Sequence, residues 1–266
     1  MDLQLRDRRA LITGGSRGIG LAVARALTAE GVDVAIAARD RHRLEAAAEE
    51  LRDASGRTVV PVTIDTGDDQ SVRAAVASTL DTLGGIDILV NNAAQAGGQA
   101  PPVTLAEVSN ENFFADVNVK VVGYLRCARE VAPLMIEQRW GRIINVSGLA
   151  ARQTGAIIGS IRNVAVAALT KNLADDLGEY GINVTVVHPG LTRTENTEGV
   201  VAARAAALGR DAATIEAQMA SRVAIGRMVA ASEVADVIAF LASPRSVAIT
   251  GDAIVVGGGA LGSIHY

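Results

Sequence analysis

The eight residues Thr13-Gly14-Gly15-Ser16-Arg17-Gly18-Ile19-Gly20 carry more structural information than any other part of the chain. They follow a short β-branched run, Arg9–Thr13 (RALIT), and lead into an Ala-rich stretch with helical periodicity from about Gly18 to Glu30. Strand, glycine turn and helix in that order open a βαβ unit. Glycine lets the main chain bend sharply there and approach a pyrophosphate, whose charge then rests on the positive end of the helix. The spacing is Gly-x-x-x-Gly-x-Gly, not the Gly-x-Gly-x-x-Gly of the general dinucleotide fingerprint, and its position after an N-terminal strand marks it as a nucleotide site.

The same alternation continues outward. Val32–Ala38, Thr58–Ile64, Ile86–Asn91, Arg142–Val146, Asn183–His188 and Ala253–Val256 read as six further strands. Between them lie helices across Arg41–Ala54, Asp68–Leu83, roughly Val117–Glu137, Ile157–Tyr180 and Glu233–Ala242, and Thr104 with Glu107 forms a capping box that opens a helix. Near-continuous Val/Ile strands separated by helices imply a parallel sheet buried on both faces. The expected fold is α/β: a three-layer α-β-α Rossmann fold with a doubly wound, parallel, seven-stranded sheet. No linker, repeat or composition break divides the chain, so residues 1–266 are expected to form a single domain. Leu191–Val229, polar and Ala-rich without a strand signal, is the candidate for a substrate-covering lid.

Composition narrows the field. The chain has 266 residues, 49% apolar and 20% charged, which excludes a disordered or collagen-like protein. A net charge of −4 and a pI near 5.5 give no electrostatic case for nucleic acid or an anionic membrane. The lone Cys127 excludes an internal disulfide and suits a reducing cytosol, and the scattered His42, His188 and His265 make no metal site. The N-terminal MDLQLRDRRA lacks the apolar core of a signal peptide, and the apolar runs are too short to span a bilayer. A cytoplasmic protein acting on a small molecule is expected.

The glycine stretch, followed by Asn91-Asn92-Ala93-Ala94, Pro189-Gly190 and the closing Ile249-Thr250-Gly251…Val255-Val256-Gly257-Gly258-Gly259, resembles the short-chain dehydrogenase/reductase family from Arg9 to Gly259. That resemblance implies a single Rossmann domain, usually in a homotetramer, with a homodimer as the other assembly. It also implies cofactor contacts: Gly14, Ser16, Gly18, Ile19 and Gly20 on the diphosphate and ribose, and Asp65 and Thr66 on adenine. Asn92 and Ala93 would meet the adenine-side ribose, and Pro189, Gly190, Leu191, Thr192 and Thr194 the nicotinamide amide. Family members that prefer NAD usually end the second strand with an acid. Here that position is Ala38, followed by Arg39, with Arg17 in the glycine turn. Two guanidiniums match the oxygens of a 2′-phosphate, so NADP is expected over NAD.

The catalytic pattern departs from the family's. Its Tyr acid/base stands four residues before a Lys. Counting back eight from Lys171 places Gly159 at the Tyr position and Asn163 at the Lys position. No other register supplies the dyad: Tyr124 is followed four later by Ala128, Tyr180 by Val184, and Tyr266 is the last residue. The family's Ser position falls on Gly148, with Ser147 one residue early and turned by strand alternation toward the opposite face. The family's Asn position falls on Asn118 if two residues are inserted in the long helix, or on Lys120 by an ungapped count from Pro133. The Gly159-Ser160-x-x-Asn163 segment is similar to that of a divergent branch of the family.

Lys120, Ser147, Ser160 and Asn163 are therefore the catalytic candidates, with His188 beside Pro189 a further one. A lysine in an apolar cleft near a cationic nicotinamide has its pKa lowered, which suits acid/base work at neutral pH. Two functions follow. One is an NADP-dependent oxidoreductase acting on a carbonyl or alcohol with a nonstandard active site. The other is a catalytically inactive NADP-binding pseudoenzyme or partner subunit.

Overall fold

The computed structural model describes residues 1–94 and 104–261. The chain starts with β1 (Arg9–Thr13), α1 (Gly18–Ala29), β2 (Asp33–Ala38), α2 (Arg41–Ser55), β3 (Val59–Thr63), α3 (Asp69–Leu83) and β4 (Ile88–Asn91). It continues through α4 (Asn110–Val117), α5 (Gly123–Gln138), β5 (Gly141–Val146), α6 (Ile157–Leu177) and β6 (Ile182–Pro189). After β6 come β7 (Thr192–Arg193), α7 (Thr197–Leu208), α8 (Ala212–Ala220), β8 (Val229–Ala230), α9 (Ala231–Ala242) and β9 (Ala253–Val256).

Seven strands form one parallel sheet in the order β3-β2-β1-β4-β5-β6-β9. Because successive side chains on a strand face opposite ways, each strand feeds two cores. Ile12, Ile36, Val90 and Ile144 meet Leu27 of α1, Leu44 of α2 and Ile238 of α9 on one face. Leu11, Ala35, Leu89, Ile143 and Val184 meet Val72 of α3, Val131 of α5 and Leu177 of α6 on the other. Each such fully buried aliphatic side chain contributes about 1.5–3 kcal/mol. This is the expected doubly wound α-β-α fold. Short side chains cap the helices that start on the site's side of the sheet: Asp40 accepts from the Arg43 amide (3.1 Å) and Asp68 from the Ser71 amide (2.6 Å).

Three local expectations are corrected. The single helix expected over Val117–Glu137 is interrupted: α4 and α5 are joined by a π turn at Asn118–Val122. The Thr104–Glu107 capping box is present, but it opens only a 3-10 turn, Leu105–Glu107. The 191–229 segment does contain strand: β7 and β8 pair as a two-stranded parallel ladder, Thr192 opposite Val229. Between them α7 and α8 bury Val201, Ala205, Ile215 and Met219 against Met228, with Leu191 packed on this small core. Among the described residues, no helix is long and apolar enough to cross a membrane.

Candidate active site

β1 lies where the winding reverses: the chain runs from it to β2 and β3 on one side, then returns to β4 on the other. The carboxyl ends of β1 and β4 therefore diverge into a crevice. The Thr13 hydroxyl holds its two walls together by accepting from the Asn92 amide (3.0 Å) and the Ala93 amide (3.1 Å). The Asn92 side chain donates to the Gly14 carbonyl (3.2 Å). Gly14, at φ +67°, has no room for a side chain, because a Cβ would sit 2.8 Å from the Asn92 amide nitrogen.

The crevice opens as a cleft of about 390 Å³, a size suited to a nucleotide. Gly14, Ser16, Arg17 and Gly18 line it at the β1–α1 turn, and Arg39, Asp65 and Thr66 line it beyond the ends of β2 and β3. Asn92, Ala93 and Thr194 close the remaining side. Of the other residues expected to touch a cofactor, Ile19 and Gly20 lie in the first turn of α1. Pro189 ends β6, Gly190 and Leu191 follow it and Thr192 opens β7; none of the four lines this cleft. Arg43, Glu195 and Asn196 also line it. Arg43 had a sequence signal, since it stands four residues after Arg39 in the first turn of a helix. Glu195 had none, because its partner in the cleft is 177 residues away.

The second cluster is built around Lys120, which is buried inside the π turn. Its ammonium donates to the Ser147 carbonyl (2.9 Å) and to Asn163 Oδ1 (3.0 Å). The Ser147 hydroxyl donates to the Asn163 carbonyl (3.0 Å), so β5, α6 and the π turn meet at these three residues. Beside them Arg162 of α6 forms a buried ion pair with Asp116 of α4. Burial first, and the Arg162 charge second, pull the Lys120 pKa from 10.5 down to about 7, with Asp116 opposing.

Asn118 and Lys120 touch different elements. Asn118 donates to the Gly67 carbonyl (3.0 Å) and accepts from Arg126 (2.9 Å), while Lys120 points to Asn163. A π turn adds one residue to the helical circuit, which lets both side chains find buried partners on different elements.

The other candidates lie apart. The Ser160 hydroxyl donates to the Gln153 carbonyl (2.9 Å). His188 is buried within β6, paired with Val255 of β9. A Cβ at Gly148 would come within 3.0 Å of the Asn163 amide nitrogen, so that position also faces the cluster. The Tyr124 hydroxyl donates to the Val146 carbonyl (2.9 Å) from a fully buried site, and burial pushes its pKa far up. It holds its proton and acts as a structural strut. Tyr180 ends the 3-10 turn before β6, and Tyr266 lies outside the described residues.

A family model described as short chain dehydrogenase matches residues 8–205. The chain is 34% identical over 251 residues to the short-chain reductase protein NovJ of Streptomyces niveus, covering 94% of this chain and 92% of that one. Its fold superimposes on L-sorbose reductase from Gluconobacter frateurii, solved with NADPH and L-sorbose, with a TM-score of 0.93, 30% identity and coverage of 99% and 100%. It matches the actinorhodin polyketide ketoreductase, solved with NADPH, with a TM-score of 0.87, 31% identity and coverage of 94% and 96%.

Proposed function

The chain belongs to the short chain dehydrogenase family, and from that premise we propose that it is an NADPH-dependent reductase of a small carbonyl compound with a nonstandard proton donor. The observation that carries this reading is the pairing of Arg17 and Arg39 on one cleft with the glycine floor. The one acid beside them at the end of β2, Asp40, is committed to capping α2 through the Arg43 amide. A 2′-phosphate there meets the guanidiniums of Arg17 and Arg39, while the Asp40 carboxylate is held by the N-terminus of α2. The relatives solved with NADPH support the same choice.

Bound NADPH supplies the hydride. The glycine floor and the α1 N-terminus would hold its diphosphate, and Asp65 with Thr66 would flank the adenine. The proton is the protein's task. Lys120, with a pKa of about 7, is present in both protonation states near neutral pH. Ser147 and Asn163 hold its Nζ in place through the bonds they accept. The proton leaves Nζ for the oxygen of the substrate carbonyl, and solvent restores it. The π turn, which places a lysine where a regular helix would point it elsewhere, supports this role. The 191–229 segment covers the substrate. The protein works as a cytoplasmic homo-oligomer, associating through the apolar side chains that α5 and α6 leave exposed, Leu125, Ile161 and Val164.

A second reading has an observation of its own. No tyrosine is followed four residues later by lysine, and Ser160 is turned to Gln153; a protein that binds NADP without turnover has the same cleft. Oxidation of NADPH and of NADH against a panel of ketones, with wild type, Lys120→Ala and Ser160→Ala, separates the two. The expected result is NADPH turnover reduced ~10²–10⁴-fold by Lys120→Ala. Unchanged turnover in that variant removes the lysine role. Tight NADPH binding with no turnover by wild type establishes the inactive reading.

A further inference from the structure

We propose that Glu195 sets the cofactor affinity of this site: its carboxylate occupies the main-chain amide that a dinucleotide's diphosphate needs, and binding must displace it. The inference rests on the cofactor reading above. The Gly18 amide donates to both carboxylate oxygens of Glu195, at 2.9 and 3.1 Å. Gly18 opens α1, whose N-cap residue, Arg17, makes no side-chain cap and whose first turn carries no acid. The negative charge that this positive helix end attracts is thus supplied from the start of the 191–229 segment, across the cleft.

One N–H cannot serve a carboxylate and a diphosphate together, and the two anions repel at contact distance. Glu195 is the acid in the cleft that takes this amide. Asp40 is engaged by the Arg43 amide and Asp65 by the Gly67 amide (2.9 Å). The backbone around Glu195 is fixed independently of its carboxylate. The Thr194 amide donates to the Thr197 hydroxyl (2.8 Å), the Thr197 amide donates to the Thr194 carbonyl (3.0 Å), and Thr197 is buried. Thr194 itself packs over Gly18, its methyl 3.6 Å from where a Cβ would stand. Glu195 is exposed, so its side chain can rotate into solvent while Thr194 stays in the cleft wall. The residue acts as an anionic placeholder whose affinity for the amide is subtracted from that of the cofactor.

The test is a fluorescence titration of NADPH into wild type, Glu195→Gln and Glu195→Ala, with a parallel calorimetric titration of 2′-AMP. The latter carries the 2′-phosphate but no diphosphate. Both variants should bind NADPH about three- to tenfold more tightly than wild type, the range expected for freeing a charged contact at a helix N-terminus. Their affinity for 2′-AMP should be unchanged. Unchanged or weaker NADPH binding in both variants overturns the placeholder, as does an equal gain for 2′-AMP, which would signal only the loss of a nearby negative charge. If none of the three proteins binds NADPH, the cofactor reading falls together with this one. If wild type binds and the variants match it, this inference falls alone.

Discussion

Lys120 is one of only two lysines in a chain with 25 basic residues. The other, Lys171, is exposed and paired with Asp175 four residues on. Arginine stays protonated at any working pH, so of these two basic side chains only lysine can give up its proton in a buried site. That scarcity was legible in the sequence, whereas the partners were not: Ser147 and Asn163 are 27 and 43 residues away. The depressed pKa has a consequence for stability. Between about pH 7 and 10.5 the unfolded chain holds a proton at Lys120 that the folded chain releases, so this residue makes stability rise with pH across that window. Lys120→Met removes the dependence. Urea unfolding at pH 7 and at pH 9.5 should show wild type gaining on the variant by about 3 kcal/mol at the higher pH. A difference that stays constant with pH would contradict the shifted lysine.

At the scale of elements, β4, β5 and α6 are held in register by buried polar side chains as well as by the sheet. Asn91 donates to Asn145 Oδ1 (2.9 Å), Asn145 donates to the Thr170 hydroxyl (2.9 Å), and Thr170 donates to the Val166 carbonyl (2.8 Å). Thr170→Val keeps the shape of the side chain but leaves the Asn145 amide without its acceptor. The cost should be about 1–3 kcal/mol, read as a lower urea midpoint at unchanged slope. Element order was readable from Val/Ile runs and helical periodicity, and the boundaries agree closely where one face is uniformly buried, as in β1 and α3. The π turn was not readable. Asn118 and Lys120 both fit a continuous helical pattern, and only their opposite partners, Gly67 on one side and Asn163 on the other, require the extra residue in the circuit.

Across the whole molecule, the winding reversal at β1 places the glycine floor, the arginine pair and the start of the 191–229 segment around one crevice. The opposite concern is the outer surface. The first half of α6, IIGSIRNVAVAAL, carries apolar residues on its outer side as well: Val166 is buried, while Ile161 and Val164 stay exposed. Exposed apolar side chains gathered on one helix favour association with a second copy. Light scattering should therefore give wild type a mass of two or four chains, and Val164→Glu should lower it with little change in NADPH affinity. A monomeric wild type would remove the oligomer from the proposed function.

The sequence by itself determined the fold class, the strand order's periodic basis, the glycine floor and the absence of a Tyr-x-x-x-Lys pair, because each of these is written in residues close together along the chain. It also reduced the proton donor to a short set of polar residues. Only the tertiary structure distinguishes their environments. Lys120 is set apart by burial, by Arg162 and Asp116, and by Asn163, and Glu195 by an amide 177 residues away. Charge states and anion seats depend on the dielectric and on neighbours brought in by folding, and those have no signature in local spacing.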